Sequence, residues 1–155
     1  MGEYEKRLED LDIKWSVKNR KGKSIVSLKQ DGNLLYLSGH GCEKDKGELI
    51  YKGKVGGEVT VEQGYEAARQ VGINLLATLK DYLGSLDRIV EIIKVLGFVA
   101  STPDCSEQPA VMHGFSDLMT EVFGENGKHA RSAIGVAVLP NNQPVEIEMI
   151  VKIKK

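Results

Sequence analysis

His129-Ala-Arg-Ser-Ala-Ile-Gly-Val-Ala-Val-Leu-Pro140, followed by Val145-Glu-Ile-Glu-Met-Ile150, is the stretch whose reading decides the fold. It reads as two apolar strands joined by a short Pro/Asn loop, a terminal hairpin. Arg131 and Glu146 stand out within it, because charges flanking buried strands are costly unless exposed, paired or turned to a ligand. The residues alone leave a peripheral ion pair, solvated strand ends and a ligand role all open. If Val138 faces Val145, Arg131 falls opposite Lys152, so Arg131 and Glu146 are not simple cross-strand partners in such a hairpin.

Upstream of this pair lies Arg88 to Ser101, rich in Ile, Val, Leu and Phe, which predicts a central strand covered on both faces. A helix is expected from Pro109, with Met112, Phe115, Met119 and Val122 on its buried side and Gly124 ending it. The clearest helix starts after Thr60. Thr60 and Gln63 have the spacing of a capping box, apolar residues recur from Val61 to Leu83, and Gly84 closes the run. Within it, Gly64, Ala68 and Gly72 form a small-residue row that calls for close packing. Ser24–Gln30 and Leu34–Ser38 flank Asp31-Gly32-Asn33 and predict a hairpin. Lys14–Lys18 and Glu48–Lys54 are expected as short strands, and Glu3–Leu11 as a small amphipathic helix. The resulting order, ββ(β)–α–β–α–β–β, implies one α+β domain over 1–155, with 1–19 as an N-terminal helical extension. Its mixed sheet is covered on one face by two helices. The uncovered face points to a subunit interface.

Length and composition agree with this. The chain has 155 residues, 41% hydrophobic and 28% charged, with a formal net charge of −1. That size suits one domain burying roughly 70% of its unfolded surface. The charge balance offers no footprint for nucleic acid. No apolar run reaches the length of a membrane span, and the start lacks a signal-peptide core, so a cytoplasmic protein is expected. Cys42 and Cys105 form no Cys-x-x-Cys pair, and with His40, His113 and His129 they give no metal-ligand spacing. Gly53-Lys-Val-Gly-Gly57 lacks the Gly-Lys-Ser/Thr ending of a P-loop and reads as a turn. Neither a metal nor an organic cofactor is expected.

Several segments together resemble the YjgF/Rid family, the reactive-intermediate deaminases also known as endoribonuclease L-PSP-like proteins. They are Gly32-Asn-Leu-Leu-Tyr-Leu-Ser-Gly39, Thr60-Val-Glu-Gln-Gly-Tyr-Glu-Ala-Ala-Arg69, Ile93-Lys-Val-Leu-Gly-Phe-Val-Ala-Ser101, and above all Ala130-Arg-Ser132 with Leu139-Pro140 and Val145-Glu-Ile-Glu148. The resemblance covers about residues 20–153. It implies a chorismate-mutase-like fold assembled as a homotrimer with inter-subunit clefts, and a small carboxylate-bearing ligand. In deaminating members the arginine matching Arg131 holds the substrate carboxylate. The acid matching Glu146 helps position a water that attacks the C=N carbon of a 2-imino acid, giving a 2-keto acid and ammonia. Ser38 and Gly39 match the pocket wall, and His40 and Cys42 fall at its edge.

Three departures from the family pattern accompany this match, one of them Ser38-Gly-His-Gly-Cys42 in place of the usual Ser-Gly-Gln-x-Pro. Ala133 stands where many deaminases carry cysteine, and Gly114 where a pocket asparagine is common. Ser-Gly-His-Gly-Cys42 also resembles a longer branch of the family. The expectation is therefore hydrolytic deamination of 2-imino or enamine acids, with non-catalytic binding of a carboxylate metabolite as the alternative. An RNA-cleaving activity, suggested by the older family name, finds no basic stripe or aromatic platform to support it.

Overall fold

A computed structural model describes residues 2–14 and 24–155. Among the described residues are five strands and three α-helices: α1 (Glu3–Asp10), β1 (Leu28–Asp31), β2 (Leu34–His40), α2 (Val61–Leu83), β3 (Ile89–Ala100), α3 (Gln108–Phe123), β4 (Ala130–Val136) and β5 (Val145–Ile153). The strands form one sheet in the order β1-β2-β5-β3-β4. β1 and β2 pair antiparallel around Gly32 and Asn33, with Gly32 at a φ of 60°. Its missing Cβ makes that left-handed backbone inexpensive. The expected strand at 48–54 is replaced by isolated bridges from Leu49 to Glu43 and from Val55 to Val59 and Ser101. Most of the strand expected at 14–18 lies outside the described residues.

The expected C-terminal hairpin does not form. β4 and β5 are not a hairpin, because β3 lies between them, parallel to β4 and antiparallel to β5. Residues 137–144 carry the chain over the end of β3, where the Ala100 amide donates to the Pro144 carbonyl at 2.9 Å. Arg131 accordingly lies beside Val95, not Lys152.

Alternation along β5 sends Val145, Ile147, Met149, Val151 and Ile153 into the core. There they meet Leu75, Leu76 and Leu79 of α2 and Met112, Phe115 and Met119 of α3. The capping box of α2 forms as its sequence dictates: the Gln63 amide donates to Thr60 Oγ1 and the Thr60 amide to Gln63 Oε1, both at 3.0 Å. The helices cover only one sheet face. Two register shifts in β3, between Ile89 and Glu91 and between Ile92 and Lys94, explain why its sequence looked apolar on both sides. Each inserts a residue and breaks the two-residue period. Tyr36, Lys94, Leu96, Glu148 and Ile150 line a hollow of about 220 Å³ on the uncovered face.

The N-terminal helix is fastened to the helical side. Tyr4 packs edge-on against Phe123 with ring centroids 4.7 Å apart, and Arg7 donates to the Val122 carbonyl at 2.8 Å. Glu5 is buried and accepts from the Leu86 amide at 2.7 Å and from Lys80 Nζ at 3.1 Å. Among the described residues, no helix is long and apolar enough to cross a membrane.

Candidate functional site

His129 and Arg131 are two apart, at the start of a strand whose alternate side chains share a face. That face looks onto α3, where His113, Ser116 and Thr120 occupy successive helical turns. Together with Lys128 they line an open cleft of about 480 Å³ at the edge of the sheet. Arg131 is half-buried. Its Nη1 donates to Ser116 Oγ at 3.0 Å and to His113 Nδ1 at 3.2 Å. No carboxylate lies within 4.0 Å of its guanidinium among the described residues. Burial draws the Arg131 pKa below its ordinary value and nearby Asp117 opposes that shift; an arginine nevertheless stays charged at any working pH.

His129 Nδ1 lies 2.7 Å from the Gly127 carbonyl and Nε2 lies 2.9 Å from Ser116 Oγ, with the ring packed edge-on against Phe115. Burial lowers the imidazole pKa, the Gly127 bond opposes this, and the Arg131 charge adds to the lowering. The neutral ring is therefore favoured near pH 7.

Glu146 is placed elsewhere. It is opposite Phe98 in the ladder, and its neighbours Val145 and Ile147 point into the core, so its side chain is on the uncovered face. Arg131 is on the helix-covered face, and one protomer does not bring the two together. Glu146 is instead held against the backbone of Gly39. A Cβ there would come within 2.7 Å of Glu146 Oε2, so only glycine admits the carboxylate this closely. The contact arises at an irregularity in the β2–β5 pairing between Leu37 and His40. Ser38, beside it, donates from Oγ to the Val26 carbonyl at 2.7 Å.

His40 turns the other way. It is buried, with Nδ1 at 2.7 Å from the Ser38 carbonyl and Nε2 at 2.8 Å from Thr78 Oγ1 on α2. Cys42 is in the core, and burial pushes its thiol pKa up. Gly114 lets α3 lie against the backbone of α2: a Cβ at this position would lie 1.9 Å from the Tyr65 carbonyl oxygen. The sequence alone does not mark Ser116 and His129 as cleft residues. The polar row 113, 116, 120 at helical spacing and the pair 129, 131 at strand spacing were the available signals. Among the described residues, no group of three or more His, Cys, Asp or Glu side chains is arranged to hold a metal ion.

Residues 8–152 match the family described as "YjgF/chorismate_mutase-like, putative endoribonuclease". The chain belongs to the YjgF family. Its similarity to a curated Trypanosoma cruzi protein, Protein TCP17, is 36% identity across 98% of this chain and 95% of that protein. Among solved structures, Atu1372 of Agrobacterium tumefaciens, described as of unknown function, is 41% identical with a TM-score of 0.91, covering 97% of this chain and 92% of that one. Escherichia coli TdcF with bound serine is 20% identical with a TM-score of 0.62, covering 90% and 94%, a likeness of fold alone.

Proposed function

We propose that this YjgF-family chain forms a cytosolic homotrimer whose inter-subunit clefts hydrolyse reactive 2-imino or enamine acids to 2-keto acids and ammonia, with Arg131 as the carboxylate anchor. The observation that carries this reading is the state of Arg131. Its guanidinium is half-buried, rests on the Ser116 hydroxyl and the His113 imidazole, and opens into a cleft that also contains Lys128. A planar fork oriented by a hydroxyl and an imidazole is suited to a carboxylate, where each charge-assisted bond contributes about 1.5–3 kcal/mol. In this proposal Glu146, beside Ser38 and Gly39, reaches the site from a neighbouring copy.

The opposite-face placement of Arg131 and Glu146 favours a second reading, in which the cleft binds a carboxylate metabolite without turnover. One experiment separates them. 2-Iminopropionate is generated in situ and its decay followed with wild type, Arg131→Lys and Arg131→Ala. The hydrolase reading expects Arg131→Ala to lose about 100- to 10,000-fold in kcat/KM through two missing charged bonds, with Arg131→Lys between. Decay at the uncatalysed rate in all three samples rejects it. Protection of the wild type from heat by pyruvate, absent in Arg131→Ala, would then support the binding reading.

A further inference from the structure

We propose that Ser116 and His129 form a proton-accepting pair in the Arg131 cleft, and that the pair selects carboxylates bearing an N–H or O–H on the adjacent carbon. The inference deepens the carboxylate reading and relies on it for the role of Arg131. It follows from hydrogen-bond directions. The Gly127 carbonyl can only accept, so His129 Nδ1 carries a proton. In the neutral ring Nε2 is then bare, and the Ser116 hydroxyl must donate to it. That donation uses the only proton on Ser116. Arg131 Nη1 can only donate, and it takes one of the two remaining lone pairs of Ser116 Oγ. The other is left as an acceptor facing the cleft beside the guanidinium. A carboxylate seated on Arg131 brings its 2-substituent to that acceptor. A 2-amino, 2-imino or 2-hydroxy group supplies the donor it needs, whereas a bare methylene does not.

The same directions define a route for a proton. When water adds to the carbon of a protonated imine, the carbon–nitrogen π electrons move to nitrogen and a neutral carbinolamine forms. One water proton passes to Ser116 Oγ as the Ser116 proton passes to His129 Nε2. Returned through Ser116 to nitrogen, this proton lets the C–N bond break with its electron pair leaving as ammonia. The carbinol oxygen closes the carbonyl and releases its own proton to that ammonia. One iminium and one water thus give one keto acid and one ammonium.

The groups around His129 suit a base in this position. Arg131 on β4, Lys128 in the preceding turn and His113 on α3 contribute no negative charge, and Asp117 on α3 lies near Arg131. Burial and the Arg131 charge lower the imidazole pKa against the Gly127 hydrogen bond, which favours the neutral ring. Once protonated on both nitrogens, His129 no longer accepts, and the Ser116 hydroxyl turns to donate into the cleft.

Calorimetric titration of lactate and propionate at pH 7.5 tests the selection without requiring turnover. Wild type is expected to bind lactate about 3- to 10-fold more tightly, the worth of one net hydrogen bond, and Ser116→Ala and His129→Gln to lose the difference. Equal binding of the two acids by wild type, or a preference kept in Ser116→Ala, overturns the inference. In the 2-iminopropionate assay, His129→Gln is expected to lose the acidic limb of the kcat profile with KM little changed; a limb that persists also overturns it. A protein that prefers lactate but leaves the imine untouched rejects the hydrolase reading and keeps this one.

Discussion

Replacing Gly114 with alanine or asparagine tests whether the position serves packing or ligand contact. Where α3 passes the Tyr65 backbone of α2, a Cβ on residue 114 would sit 1.9 Å from the Tyr65 carbonyl oxygen and 2.8 Å from its carbon. Backbone inside a helix cannot rotate aside as a side-chain end can, so the helices must separate. Overpacking of this kind typically costs about 1–3 kcal/mol, and the short approach to backbone puts Gly114→Ala at the top of that range. Alanine's better helix propensity returns about 1 kcal/mol, leaving a net loss of about 2 kcal/mol. At roughly 2–4 °C per kcal/mol for a chain of this size, the expected fall in Tm is about 4–8 °C. Gly64→Ala is the internal comparison, because its new Cβ would meet only side-chain methyl groups of Val111 and Val55, at 2.9 and 3.1 Å. Its cost should be clearly smaller. Gly114→Asn adds a polar group at the same contact and should fall further than alanine. Both variants are compared with wild type by calorimetry at one fixed protein concentration, since assembly makes Tm concentration-dependent. If Gly114→Ala melts with the wild type, or above Gly64→Ala, the close-approach argument is wrong.

The buried Glu5 predicts a pH dependence of stability. Burial alone raises its pKa, but the Leu86 amide and Lys80 outweigh that and leave it below the ordinary glutamate value. Its contribution is therefore fully present above about pH 4.3 and fades as pH falls through the lower folded value. The urea midpoint of wild type should drop more steeply between pH 5 and 3 than that of Glu5→Gln, which at neutral pH should lie about 1–3 kcal/mol below wild type; parallel pH curves would refute the assignment. For the thiols, Cys105 is partly exposed whereas Cys42 is buried with a raised pKa. Iodoacetamide should label Cys105 in the folded protein and reach Cys42 only after denaturation, as mass spectrometry of the peptides would show. Equal labelling rates would contradict the burial of Cys42.

Local signals in the sequence were dependable where they act within a few residues. The Thr60–Gln63 cap, the turn at Gly32 and the stop at Gly124 all rest on backbone geometry that neighbouring residues dictate. Pairing between distant segments was less legible. Two strands separated by a short polar loop usually neighbour each other, but residues 137–144 span two strand spacings, roughly 9.5 Å, and leave room for β3. The bulges in β3 concealed its single covered face for a related reason, since an inserted residue moves an apolar side chain without changing composition. Arg131 stood out because arginine is rare in apolar strand sequence. Ser116 and His129 did not, because their meaning lies in hydrogen-bond direction across α3 and β4. For Gly114, the likeness to a pocket asparagine position concealed a contact between helix backbones.

The sheet order has a consequence for how the chain is made. β5 is synthesised after the other four strands, yet it lies between β2 and β3 and supplies the ladder on both sides. Until it arrives, β1–β2 and β3–β4 are separate two-strand ribbons, each with an unsatisfied inner edge. Non-local pairings of this kind form late because loop closure must precede any gain from contact. An emerging chain therefore presents two open β-edges, a template for wrong partners. Its commitment to the native sheet waits for the segment from Val145 to Ile153.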